Sequence, residues 1–148
     1  MKSRARPPSI KLFTLAYLAQ GLVSLAHNLY NADFHRRLLK QLISPDTGAE
    51  FLPVLLATRL GIVLALASWL CMRASNSAKW IIIVLFLPSL VRAGDAWSGL
   101  WLGRPNSFFW LAASVLYLIA ILLLFRPDAR YWFATKGGTT KGNAQVFD

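Results

Sequence analysis

The chain has 148 residues, of which 56% are hydrophobic, and a formal charge of +10; its mean hydropathy is +0.48. That apolar share exceeds the roughly half found in ordinary soluble domains and points to a membrane protein of one domain. The 16 Lys and Arg are dispersed between long apolar runs, so the charge argues against a nucleic-acid partner and for contact with anionic lipid.

A spanning helix needs about 20 predominantly apolar residues, because no water is present in hydrocarbon to satisfy backbone N–H and C=O groups. Four segments qualify: 10–30, 51–72, 80–102 and 108–125. They predict an all-α, integral membrane four-helix transmembrane bundle over residues 1–133. The first segment carries Lys2, Arg4 and Arg6 before it, and its 12–23 stretch followed by Ser24-Leu25-Ala26 imitates a cleavable signal peptide. The apolar run continues past that point, which favours an uncleaved first helix.

Between the first two segments, Phe34, Leu38, Leu42 and Ile43 recur at helical spacing with Arg36, Arg37 and Lys40 between them. This pattern predicts a short interfacial helix over 34–43, capped by Asn31 or Asp33 and followed by a turn at Ser44-Pro45-Asp46-Thr47-Gly48. Its plain role is a connector; its sharper role is a lid over an opening.

Ala57, Gly61 and Ala65 form a small-residue stripe on the second segment, and Gly99 with Gly103 forms a GxxxG pair on the third. Both allow close helix approach, within the chain or with a second copy or another membrane protein. Trp80, Trp97, Trp101 and Trp110 read as interfacial anchors. Pro127 is expected to end the fourth helix, leaving Tyr131, Trp132 and Phe133 at headgroup depth. Residues 134–148, rich in Gly, Thr and Lys, predict a disordered tail.

Lys and Arg flanking the segments set the orientation. Ten share the side of the termini and the second loop, against four on the other side, so the positive-inside rule puts both termini in the cytoplasm. The expected location is a bacterial plasma membrane, crossed several times.

Arg59, Arg92 and Asp95 lie within the apolar segments, where an ionisable group costs on the order of 2.5 to 3.5 kcal/mol unless it faces a partner or a wet cavity. At about 1.5 Å per residue, Arg59 sits about 12 Å from one surface and Asp95 about 22 Å from the other, similar depths in a core of about 30 Å. A bridge between them is available, and Arg92, three residues from Asp95, can share it. Pro88, Arg92, Asp95 and Gly99 occupy one helix face, and Tyr17, Gln20, Ser24, His27 and Asn28 form a polar stripe on the first helix. The ligand-binding candidates are therefore Arg59, Arg92, Asp95, His27, Asn28 and Gln20.

The favoured reading is non-enzymatic: a protein that acts by helix packing or partner binding, with Arg59, Arg92 and Asp95 as a structural clamp. In the alternative, a small carrier or quinone-linked subunit, the same charges line an outward pocket for an anionic or quinone-like ligand. A lone His27 is more often a satisfied helix residue than a ligand. No nucleophile stands beside a base, two histidines without Cys or Glu partners make no metal site, and no cofactor is expected. The single Cys71 permits no internal disulfide.

The Thr58-Arg59-Leu60-Gly61 element, followed one helix later by Arg92-Ala93-Gly94-Asp95-Ala96, resembles small four-helix bacterial membrane proteins of the DoxX-like type. The resemblance covers roughly 50–125. It implies a four-helix membrane bundle and, for some members, a link to membrane redox complexes, but this chain has no redox cysteine pair or haem-type histidine pair and no catalytic residue is carried over.

Overall fold

A computed structural model of the chain describes residues 6–43, 47–91 and 93–135. Among them the regular structure is entirely helical: α1 (Pro8–Tyr30), α2 (Ala32–Leu42), a single 3₁₀ turn (Gly48–Glu50), α3 (Phe51–Arg73), α4 (Asn76–Val91), α5 (Ala93–Trp101), α6 (Pro105–Leu123) and α7 (Pro127–Ala134). Among the described residues three helices, α1, α3 and α6, are long and apolar enough to cross a membrane. Residues 44–46 of the expected turn and 136–148 of the expected tail lie outside the described residues.

Proline sets several helix starts. Pro8, Pro105 and Pro127 stand in the first turn of α1, α6 and α7, where the missing N–H has no helical partner to lose and the fixed φ suits the helix. The last case corrects an expectation: α6 already stops at Leu123, and Pro127 instead begins another helix, which holds Tyr131, Trp132 and Phe133. The α3–α4 corner turns on Ala74, whose φ of 46° is left-handed, and on Ser75, whose Oγ accepts a hydrogen bond from Ala78 N–H at 3.3 Å. That bond caps α4.

The segment expected as one helix over 80–102 is helical on both sides of residue 92, as α4 and α5; residue 92 itself lies outside the described residues. Pro88 lies inside α4 and cannot donate to the carbonyl one turn back. The neighbouring Ser89 hydroxyl donates to the Phe86 carbonyl at 2.6 Å, not to the Val84 carbonyl that Pro88 leaves free.

Helix α1 is the hub, packing antiparallel to both α3 and α6, while α5 packs on α6. The buried core collects at one end of the molecule, where α1 and α4 begin and α3 and α6 finish. There Ile10, Phe13 and Tyr17 of α1 meet Leu70 of α3, Ile82 of α4 and Leu124 beyond α6. A Thr14 Oγ1 to Cys71 Sγ contact of 3.1 Å joins α1 to α3 at this level. Asp128 of α7 closes the same end, its carboxylate accepting a hydrogen bond from Ser9 N–H at 3.2 Å and thereby satisfying a free donor of the first turn of α1. Lys79 is also buried here, with its ammonium 4.0 Å from the centre of the Phe125 ring, a cation–π contact.

Helix α2 has one buried side chain, Leu39, set against Leu52 and Leu56; its other apolar residues, Phe34, Leu38 and Leu42, are exposed. The start of the helix departs from expectation. Asn31 turns its Nδ2 back to the His27 carbonyl at 2.9 Å, closing α1 rather than capping α2, and Asp33 pairs with Arg36 at 3.1 Å. A Cβ on Gly48 would stand 2.5 Å from the Leu39 carbonyl oxygen, so the turn lies directly against α2.

The small-residue stripe Ala57, Gly61 and Ala65 is exposed, and nothing lies within 4 Å of a Cβ placed on Gly61. The expected GxxxG pair divides its work. Gly99 abuts Ser107 of α6, whereas Gly103 adopts φ of 64° and ends α5 with Arg104 N–H bonded to the Gly99 carbonyl at 3.0 Å, a helix stop that favours glycine.

Candidate functional site

The half of the bundle away from the core is less filled. Between α1, α3, α4 and α6 lies a cavity of about 290 Å³. Its polar wall is Gln20 and Ser24 of α1, Arg59 of α3, Ser89 of α4, and Ser114 and Tyr117 of α6; Leu85, Pro88 and Trp110 supply apolar surface.

Helical periodicity places these groups. Gln20, Ser24 and Asn28 repeat every fourth residue on the face of α1 that also buries Phe13 and Tyr17. Gly21 lets α3 approach: a Cβ there would come within 3.0 Å of Val63. Gln20 Nε2 donates to Ser24 Oγ at 3.1 Å, while Gln20 Oε1 and Asn28 Nδ2 are buried without hydrogen-bond partners. Both buried atoms are costly to leave bare and are available to a bound group or water.

Arg59 is the charge of this region. It is exposed in the isolated chain, and its hydrogen bond runs from Nη1 to Asn28 Oδ1 at 3.5 Å, the long limit of such a bond. The contact to Asn28, near the finishing end of α1, shows the side chain leaning toward the start of α3, as helical side chains do. A guanidinium has five N–H donors in a planar fork, so most of its capacity is unused among the described residues. Arg59 and Asn28 also line a narrow cleft between α1 and α3.

Four of the six candidates can be located in full. Gln20 and Arg59 line the cavity, and Asn28 adjoins them through the cleft. His27 is elsewhere, its ring 6.1 Å from that of Phe109 and outside the lining of the cavity. Arg92 lies outside the described residues, as does the side chain of Asp95, whose backbone belongs to α5. Among the described residues no three of His, Cys, Asp and Glu come together as metal ligands.

The sequence reading missed Ser89, Ser114 and Tyr117, and took Trp110 for an interfacial anchor, whereas it walls the cavity. Ser114 and Tyr117, three apart with Trp110 one turn before, could have been recognised as a face of α6. Tyr117 is held by a hydrogen bond from its hydroxyl to the Ile82 carbonyl at 2.8 Å and by edge contacts with Tyr17 and Phe86, ring centres 5.5 and 5.1 Å away. It forms the floor between cavity and core.

No protein-family model, curated protein or solved structure matches the chain.

Proposed function

We propose that this protein is a non-enzymatic, four-crossing membrane protein that binds a ligand with an anionic or electron-rich head in the cavity beside Arg59. The third crossing would be made by α4 and α5 in succession. The charge asymmetry of the flanking residues supports cytoplasmic termini in a bacterial plasma membrane, and the cavity then opens away from the cytoplasm. The likeness to DoxX-like proteins rests on the Thr58-Arg59-Leu60-Gly61 and Arg92-Ala93-Gly94-Asp95-Ala96 elements and this layout.

The observation that carries the reading is Arg59 itself: a cation in an apolar helix, weakly bonded to Asn28, on the wall of a cavity rich in hydroxyl and amide groups. A charge in hydrocarbon needs a counter-charge or a polar surround. A carboxylate, phosphate or quinone carbonyl in the cavity supplies one, and the bare Gln20 Oε1 and Asn28 Nδ2 offer an acceptor and a donor beside it.

The clamp reading requires Asp95 to supply that counter-charge from within the chain. Thermal unfolding of Arg59→Leu, Asp95→Leu and the double variant in lipid nanodiscs separates the two. If both single changes destabilise and the double recovers stability, the charges form an internal pair and the ligand site is refuted. The proposal expects Arg59→Leu to stay folded and to lose a rise in melting temperature that extracted lipid and quinone give the unaltered protein.

A further inference from the structure

Arg59 belongs to another space besides the cavity. Between α2 and α3 runs an apolar groove of about 420 Å³, to which Arg59 contributes the charged group. Leu39 and Ile43 form its α2 side, and Phe51, Val54, Leu55 and Ile62 its α3 side. From Phe51 to Ile62 it extends about 16 Å at about 1.5 Å per residue. Its α3 residues are exposed rather than packed, and the Gly48 turn against Leu39 holds α2 over its end.

Building on the binding reading above, we infer that the ligand is a single-chain amphiphile with a carboxylate head, the head on Arg59 and the chain in the α2–α3 groove. Charge and shape select this occupant. The guanidinium fork matches a carboxylate through two parallel N–H bonds, and it stands beside a surface that is otherwise apolar apart from Thr58. A single groove bordered by one helix pair accommodates one chain.

The test uses the full-length protein in phosphatidylcholine nanodiscs and compares the motionally restricted fraction of spin-labelled stearate with those of spin-labelled phosphatidylcholine and phosphatidate. The inference expects stearate to be selected over both by about tenfold, the ratio that a charge-assisted hydrogen-bond pair supplies. Arg59→Gln should bring stearate to parity with phosphatidylcholine, and Arg59→Lys should retain part of the selection. Leu55→Trp, at an exposed position that fills the groove without disturbing the core, should also abolish it while leaving the yield of folded protein unchanged. Selection lost in Arg59→Gln but kept in Leu55→Trp overturns the groove and leaves the cavity reading standing. Phosphatidate preferred to stearate overturns the single-chain assignment. Stearate selection that survives in both variants refutes the inference and, with it, the role of Arg59 as the head-group site.

Discussion

Tyr117 separates the packed half of the bundle from the open half, and two substitutions there divide its contribution into ring and hydroxyl. It is 9% exposed, with ring contacts to Tyr17 and Phe86 and a hydroxyl bond to the Ile82 carbonyl. In a membrane protein the unfolded reference is a set of helices in lipid, so ring burial gains little by transfer and the loss on truncation is mainly packing. Removing a ring on the order of 100 Å³, at about 24 cal/mol per Å³ of residual cavity, costs Tyr117→Ala about 2.4 kcal/mol. Tyr117→Phe keeps the ring and removes one hydrogen bond, which inside membrane bundles averages about 0.6 kcal/mol. The Ile82 carbonyl lies inside α4 and retains its helical acceptor role, so no bare polar atom adds to that figure. Unfolding of both variants by graded denaturing detergent, read by far-UV circular dichroism, should give a cost for Ala about four times that for Phe. Equal costs would refute the assignment of Tyr117 as a packing floor and make the hydroxyl its principal contribution.

Three further outcomes follow from the same structure. Ala74→Gly should stabilise the α3–α4 corner by about 1 kcal/mol in the same assay, because a left-handed alanine bears a steric cost that glycine does not. Gly48→Ala drives a methyl against the Leu39 carbonyl and should free α2, seen as faster amide hydrogen exchange over 32–42 with no change in α6. Asp128 has its carboxyl held below the ordinary 3.8 first by the Ser9 hydroxyl, which lies beside it while falling short of full hydrogen-bond geometry, against the opposing effect of burial, and then by the backbone N–H groups of Ser9, Ala129 and Asp128 itself. A lowered folded value means the contact is fully present above pH 3.8 and is lost as pH falls through that lowered value. The unaltered protein should therefore lose more stability between pH 6 and pH 3 than Asp128→Asn does, a difference on the order of a helix cap, about 1 kcal/mol; identical pH profiles would show that Asp128 does not clip α7 to α1.

Helix existence was largely legible without tertiary information. Runs of about 20 apolar residues have few alternatives to helix in hydrocarbon, and α1 and α3 follow their expected limits closely. The short helix α2 was equally visible from its alternation of Arg and Leu. Pro88 was in plain view within the third segment, and helix continues past it to Val91, as membrane helices tolerate proline. The polar face of α1 was read correctly from spacing for Gln20, Ser24 and Asn28, while His27, adjacent to Asn28, is turned to Phe109; one residue is about 100° of rotation.

By itself, the sequence determined that this chain is helical and membrane-embedded, where its long helices run, and that Arg59 would be a costly charge within one of them. Tertiary structure alone decided that Ser89, Ser114, Trp110 and Tyr117 meet Gln20 and Arg59 around one cavity, and that Asp128 reaches back across the fold to Ser9. The physical reason is the solvent. In water an apolar face marks the inside, but lipid is as apolar as leucine, so helices such as α4 carry hydrophobic residues all round and their composition does not reveal which neighbour they meet. Only the packed helices, with Gly21 against Val63 and Gly99 against Ser107, set the spacings that leave one end filled and the other open.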